Sequence, residues 1–400
     1  MPPNPPAHAP VSPASDAPTQ KEDHVTRKIR ARYLAPAVLG AAAMALATAG
    51  TASGAAAHAT HKKSKAVKLT VERPASGTIS EAGSSLLYPL WNLWVPGYNA
   101  KYPQVTVQTA AGGSGHGISE ATAGTIQIGS SDAYLSTSDK QAAKTLENIP
   151  LAISAQEIFY HLTGVTAHLK LSGRVLAQIY DGKVTKWNTA AIAKLNPGVS
   201  LPSIPIVTLH RSDGSGDTFL FTTYLSDSTK GWASKVGYNT TVTWPSAPGA
   251  LGETGNSGML AGCKATPGCI AYVGISYQTQ ALGDGLVYAQ LKNGKGQYIM
   301  PSPTTVAAEA AGFAKKTPKT GAQSMIDGKI KNGYPIINYE YAIVSKRQSS
   351  SSEAKAVRSL LEWAINPADG NNATYLSQVG FRPLPLRVAD NSFGEIKAIK

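Results

Sequence analysis

Three times along this chain, a short strand-like run ends in a Gly/Ser-rich turn from which a helical pattern starts. Gly77-Thr-Ile-Ser-Glu-Ala runs into Gly83-Ser-Ser and then Leu86-Leu-Tyr-Pro-Leu-Trp-Asn-Leu-Trp, where apolar residues recur at helical spacing. Ser84 or Ser85 can cap that helix, and Pro89 falls near its first turn, where a missing N–H matters least. The alternating run Gln104-Val-Thr-Val-Gln-Thr-Ala leads to Gly112-Gly-Ser-Gly-His-Gly and a helical start at Ile118. Ile204-Pro-Ile-Val-Thr-Leu-His leads to Arg211-Ser-Asp-Gly-Ser-Gly-Asp-Thr and the run Phe219 to Leu225. Strand, tight turn and helix in repetition predict an α/β fold with a largely parallel sheet.

The remaining pattern agrees. Thr125-Ile-Gln-Ile-Gly-Ser reads as a strand with Ser131-Asp-Ala-Tyr at its carboxyl end, and Leu171 to Asp181 as a helix stopped by Gly182. Val184 to Leu195 carries Trp187 and a short helix. Ala271-Tyr-Val-Gly-Ile is a strand, Tyr334 to Val344 a strand or strand pair, and Ala354 to Ile365 a last helix before Phe381. Trp91 and Trp94 are expected in the core. With 400 residues, 42% of them hydrophobic, the chain has enough apolar surface for two lobes.

The turns also suggest chemistry. A helix N-terminus carries unpaired N–H groups and partial positive charge, so several converging make an anion site. Ser85, Ser114 and Ser215 add hydroxyl donors, and Arg211 adds a planar fork suited to a tetrahedral oxyanion. Asp132 is unfavourable beside an anion unless the ligand carries a proton for it to accept; phosphate does near neutral pH and sulfate does not. The other reading of Asp132 is a turn cap or a partner of Arg211.

Other chemistries lack their residues. The formal charge of +13 is scattered outside Arg27–Arg32 and His61–Lys65, with no zinc-finger spacing or arginine-rich helix for nucleic acid. No nucleotide P-loop, dinucleotide fingerprint or Gly-x-Ser-x-Gly elbow accompanies these turns. Ser114 with His116 or His210 and Asp132 is a poor hydrolase triad, because a Ser and a His two residues apart do not easily serve each other. Neither a metal nor a cofactor is expected. Cys263 and Cys269, the only cysteines, suit a disulfide across a small loop in an exported chain; a metal pair would want nearby His or more Cys.

Export is read from the N-terminus. Basic residues Arg27 to Arg32 precede an apolar, Ala-rich stretch from Tyr33, and Ala57-His-Ala59 offers a small-residue cleavage site. Residues 1–59 are expected to be a signal peptide with an N-terminal extension, and 60–76 a flexible basic tether. The mature chain is expected to be exported, extracellular or associated with the cell envelope, and no cysteine stands near the end of the apolar stretch for a lipid anchor.

At Ala82-Gly-Ser-Ser-Leu, Gly112-Gly-Ser-Gly, Ile128-Gly-Ser-Ser-Asp-Ala, Leu176 to Trp187, Arg211-Ser-Asp-Gly-Ser-Gly, Ala271-Tyr-Val-Gly and Tyr334-Pro-Ile-Ile, the chain resembles the phosphate-binding proteins of bacterial ABC phosphate importers, the actinobacterial members above all. The resemblance implies a two-lobed, type II periplasmic-binding-protein fold that closes like a flytrap. Lobe I would combine 77–157 with 335–395, and lobe II would span 158–334. It implies a monomeric, non-catalytic phosphate receptor that delivers to transmembrane permease subunits. Ser85 and Leu86 would contribute hydroxyl and backbone donors, as would Ser114. Asp132 would accept the phosphate proton, while Arg211 pairs with the oxyanion and keeps Asp132 ionised. Ser215, Gly216 and the following residue would complete the shell. Leu86 stands where some members have Phe, which is harmless if the backbone N–H acts. Asp217 stands where others have Thr; it would accept a second phosphate proton, or face away and leave donation to Thr218. Against this reading stand a secreted phosphatase or esterase using Ser114 or Ser85, and a receptor for another oxyanion such as sulfate.

Overall fold

The computed structural model describes residues 69–400. The expected targeting segment 1–59, its cleavage site and residues 60–68 lie outside the described residues. The strands are β1 (Gly77–Gly83), β2 (Val105–Ala111), β3 (Ile128–Ser131), β4 (Leu146–Tyr160), β5 (Lys170–Leu171), β6 (Val207–Arg211), β7 (Leu251–Glu253), β8 (Cys269–Gly274), β9 (Val287–Tyr288), β10 (Gln290–Lys292), β11 (Tyr298–Ile299) and β12 (Ile337–Ser345). Nine of them form one sheet in the order β2-β1-β3-β12-β4-β8-β6-β7, with β9 beside β4. A three-stranded sheet, β11-β10-β5, stands apart.

The sheet is parallel only towards its ends. β1 pairs parallel with β2 and β3, and β6 with β7 and β8. The centre is antiparallel: β12 to β3 and β4, and β4 to β8 and β9. The expectation of a largely parallel sheet is therefore corrected at the centre. The difference lies in β4, a 15-residue strand that the sequence reading passes over. Its run Leu146-Glu-Asn-Ile-Pro-Leu-Ala-Ile-Ser-Ala-Gln-Glu-Ile-Phe-Tyr does not alternate, because both faces are buried almost throughout. Pro150 also argues against a central strand, having no N–H for the ladder. The pairing absorbs it with a register shift between Glu340 and Tyr341, where the partner residue moves from Ala152 to Pro150. Residues 146–155 of β4 pair with β12 and 156–160 with β8, so one strand joins the two parallel stretches.

Helices form where the turns predict them: Tyr88–Lys101, Ser114–Ala123 and Gly216–Ser228 each begin beside the carboxyl end of a strand. Ser84 accepts hydrogen bonds from the N–H groups of Leu86 and Leu87 at 3.1 and 3.0 Å, and Ser215 accepts one from Thr218 at 3.3 Å. Trp91, Trp94 and Trp187 are fully buried with their indole N–H satisfied, by Ser130 Oγ, the Gly370 carbonyl and the Gly268 carbonyl. Gly83, at φ 144°, lets the turn lie against β3; a Cβ there would strike the Ser130 backbone.

Cys263, at the end of the helix Gly255–Ala265, is bonded to Cys269, the first residue of β8. The described part of the basic stretch, 69–76, is not free chain. Glu72 pairs with Arg358 at 2.8 Å, and its N–H donates to Glu362 at 2.6 Å. Among the described residues, no helix is long and apolar enough to cross a membrane.

Candidate functional site: a buried arginine–carboxyl cluster

Strand polarity brings the three turns together. β1 and β6 both deliver their chains to helix starts at their carboxyl ends, and β3 delivers Asp132. Gly115 N–H donates to the Gly214 carbonyl at 2.9 Å, so the second and third turns touch. A Cβ on Gly216 would lie 2.4 Å from Asp132 Oδ2 and 2.5 Å from Ser114 Oγ. The N-terminus of the helix Gly216–Ser228 thus abuts the Asp132–Ser114 pair with no room for a side chain.

Asp132 is buried and held from both sides. Ser84 Oγ donates to its Oδ1 and Ser114 Oγ to its Oδ2 at 3.3 Å, while the Asp132 N–H donates to Ser114 Oγ at 3.1 Å. Arg211 is equally buried, but its partners are Asp213 and Asp217. Nε reaches Asp213 Oδ1 at 2.6 Å, Nη2 bonds Asp213 Oδ2, and Nη1 reaches Asp217 Oδ2 at 3.0 Å. Asp217 also accepts from Gln156 at 3.0 Å and from Asn256 at 2.7 Å. Asn256 carries the network across to Ser85, whose Oγ accepts from its N–H at 3.1 Å and its Nδ2 at 3.0 Å.

All nine predicted site residues fall in or beside this cluster, with some contacts differing from the expectation. The Leu86 N–H is taken up by Ser84 Oγ and its side chain is buried. Thr218 Oγ1 bonds the Tyr272 hydroxyl at 2.8 Å, so Asp217, not Thr218, is the residue joined to Arg211. Sequence reasoning missed Ser84, Asp213, Gln156, Asn256 and Tyr272. Ser84, Asp213 and Tyr272 sit inside the quoted motifs, and Asn256 sits in Thr254-Gly-Asn-Ser-Gly, a further Gly/Ser turn that opens the helix Gly255–Ala265 after β7, so these four were within reach; Gln156 arrives from the long strand β4 with no local signal.

Charge is crowded. Burial, then the charge of Asp217, push Asp132 up to about 7, against hydrogen bonds from Glu340 and Ser84 and the charge of Arg211. Burial also pushes Asp217 up, against Arg211. Burial opposes ionisation of Asp213 too, but Arg211 overrides it and holds that carboxyl low. Arg211 thus favours the ionised form of Asp132 through its charge alone, its fork being bonded to Asp213 and Asp217.

These raised carboxyls have a consequence for stability. Burial lifts Asp132 and Glu309 to about 7, and Glu81 and Glu157 to about 8. Unfolded carboxyls titrate near pH ~4, so between about pH 4 and 8 the folded chain binds more protons than the unfolded one. Its stability falls as pH rises across that window. The lowered carboxylates Glu72, Asp181 and Asp213 act below it. The denaturant midpoint of the ligand-free protein is expected to be higher near pH ~5 than near ~8; the reverse order would refute burial as the controlling factor.

Hydrolytic chemistry finds no support here. Ser114 is bonded to Asp132 and Ser85 to Asn256. His116 is exposed, and His210 packs against Trp244 at a tilt of 38° with ring centroids 5.1 Å apart. Among the described residues, no histidine bonds either serine.

Residues 70–368 match the model of the PBP superfamily domain. The chain is 34% identical over 318 residues to the phosphate-binding protein PstS of Xylella fastidiosa, covering 79% of this chain and 84% of that protein. It is 32% identical over 356 residues to PstS of Methanocaldococcus jannaschii, covering 82% and 88%. It is 29% identical over 331 residues to PstS3 of Mycobacterium bovis, covering 77% and 83%. Among solved structures, the phosphate-binding protein of Stenotrophomonas maltophilia superposes with a TM-score of 0.63 at 18% identity, covering 80% of this chain and 94% of that one. The periplasmic phosphate-binding protein PfluDING gives 0.63 at 20%, covering 78% and 92%. At these identities the structural likeness speaks for the fold alone: a two-lobed, type II periplasmic-binding-protein architecture. Members of the family matched by sequence are substrate-binding proteins and not enzymes. The sequence matches carry the finer conclusion: this chain belongs to the PstS family of phosphate-binding proteins within the PBP superfamily.

Proposed function

We propose that this protein captures inorganic phosphate outside the cytoplasm with high affinity, as a monomer, and delivers it unchanged to the transmembrane permease of an ABC importer. The observation that carries the reading is the buried cluster itself. It sets one guanidinium, serine hydroxyls and helix N–H groups against Asp132 and Asp217, whose carboxyls act as acceptors when ionised. An anion without protons meets two carboxyls there and can offer them nothing. Phosphate offers a proton to each. In this assignment Ser85, Ser114 and Ser215, with the N–H groups of Gly216 and Asp217, serve the oxygens, and Leu86 and Thr218 join them by exchanging their bonds to Ser84 and Tyr272. Arg211 balances the charge, and Asp132 and Asp217 accept protons.

Lobe I, in this proposal, is 77–157 with 335–395, and lobe II is 158–334. The first boundary falls within β4 and the second just before β12, so those two strands act as the hinge. Contacts between the two stretches, Gly115 to Gly214, Ser276 Oγ to the Leu86 carbonyl at 2.8 Å, and Asn256 to Ser85, hold the lobes closed.

Calorimetric titration of phosphate-stripped protein tests this, with sulfate as competitor, for wild type and Asp132→Asn. Wild type is expected to bind phosphate tightly in the presence of sulfate. Asp132→Asn is expected to bind it at least about tenfold more weakly and to admit sulfate, since an amide can donate to the unprotonated oxygen. A folded wild type that gives no phosphate signal defeats the receptor reading.

A further inference from the structure

Behind Asp132 lies a second carboxyl that the sequence motifs do not include. Glu340, on β12, is fully buried. Its Oε1 accepts from Asn338 Nδ2 at 3.0 Å and touches Ser154 Oγ. Ser154 has a single hydroxyl proton and also lies 2.6 Å from Asn338 Oδ1. Glu340 Oε2 has no hydrogen-bond partner among the described residues. The antiparallel register of β12 and β3 sets Tyr341 opposite Ser131, so Glu340 and Asp132, one residue further, face each other, and Asn338 Nδ2 also meets the Asp132 carbonyl at 3.4 Å. The ionisable groups facing this pair are Tyr341 beside Glu340 on β12, and Asp217 and Arg211 facing Asp132 from the helix Gly216–Ser228 and β6.

Two carboxyls in contact in a buried site do not both ionise; they share one proton. An ionised Glu340 would leave Oε2 buried and bare. A protonated Glu340 has one donor, and Asp132 is its acceptor. Burial first and the charge of Asp132 second push Glu340 far above the carboxylate range, whereas the Glu340 hydrogen bond favours the ionised form of Asp132.

We propose that Glu340 is a positioning residue that holds the shared proton and donates it in a hydrogen bond to Asp132, leaving Asp132 to accept a proton from the bound anion. The proposal rests on the phosphate reading for its ligand, and on the Asp132–Glu340 contact for its mechanism. No atom of Glu340 needs to touch the ligand. The pair carries one negative charge once Asp132 ionises, with Glu340 keeping its proton. Losing the second proton at alkaline pH puts two charges beside the anion, and affinity falls.

Phosphate affinity of the full chain would be measured from about pH 5 to about pH 9 for wild type, Glu340→Gln and Glu340→Leu. Glu340→Gln keeps the donor but has no proton to lose. It is expected to stay within about threefold of wild type at neutral pH, to go on excluding sulfate, and to show a smaller alkaline weakening, the remainder being phosphate's own loss of a proton. Glu340→Leu, with no donor, is expected to bind at least about tenfold more weakly at neutral pH. Equal loss in both variants, or an alkaline limb unchanged in Glu340→Gln, overturns the proposal. Infrared spectra of the ligand-free protein give a readout independent of phosphate. One carboxylic-acid C=O band is expected to vanish in Glu340→Gln and to persist in Asp132→Asn. If wild type binds no phosphate, the receptor reading falls and the infrared result alone decides the shared proton. Loss of the band in Asp132→Asn but not in Glu340→Gln places the proton on Asp132 and sinks the proposal.

Discussion

Replacing Arg211 with methionine is expected to abolish measurable phosphate binding and to destabilise the fold by about 3–5 kcal/mol at neutral pH. Methionine fills much of the same space, so the loss is one of charge and hydrogen bonds. Arg211 is the cation that compensates Asp213 and Asp217, and its side chain and that of Asp217 are each only 1% exposed. Without it, two buried or half-buried carboxylates keep their desolvation cost with no opposite charge. They can respond only by taking up protons, which moves their pKa values upward. The destabilisation is therefore expected to shrink as pH falls towards about 5, where those carboxyls are neutral in the variant. Denaturant unfolding at two pH values separates this from packing. An equal loss at both would assign Arg211 a space-filling role and refute the charge argument. Arg211→Lys retains one charge but not the fork that reaches Asp213 and Asp217 together, and is expected to bind phosphate at least about a hundredfold more weakly than wild type.

The second large effect is expected from one methyl group. Gly216→Ala should weaken phosphate binding by about a hundredfold or more, while unfolding changes by no more than about 1–3 kcal/mol. Gly216 has no left-handed backbone requirement, so alanine brings no strain of its own. Its Cβ would meet Asp132 Oδ2, Ser114 Oγ and the Asp132 Cβ at 2.4, 2.5 and 2.6 Å. Either Asp132 turns away or the helix start retreats from Ser114, and both separate the groups proposed to hold the anion. Calorimetry and thermal unfolding on the same sample decide it. Near-wild-type affinity in a folded Gly216→Ala protein would show that the ligand does not need this approach.

Much of this site could be read from the linear chain because its parts are local devices. A serine that caps a helix, a glycine that opens a turn and an arginine at a strand end are each set within a few residues. The turns at Gly83, Gly112 and Gly214 lead to helices beginning at Tyr88, Ser114 and Gly216. Asp132 and Arg211 are the charged residues at two of the strand ends and are buried there. The family resemblance set these local pieces in order, but it did not include the residues that join them. Gln156 and Glu340 carry no turn or cap signal, their sequence neighbours being ordinary strand, and Asn256 sits in Thr254-Gly-Asn-Ser-Gly, a turn of the same kind that nothing local marks as joining the others.

By itself, then, the sequence determined the α/β class, the helix starts, the Trp residues of the core and the polar side chains at the strand ends. Each of these depends on interactions spanning at most a few residues. The tertiary structure alone decided that β4 runs through the centre of the sheet, because burial on both faces erases the alternation by which a strand is recognised. It also decided the partners of the charges: that Arg211 spends its fork on Asp213 and Asp217, and that Asp132 lies against Glu340. Those pairings join residues up to 208 positions apart, as Asp132 and Glu340 are in number. Ionisation in a buried cluster depends on distance in space and on loss of water, and neither quantity is written in the order of the residues.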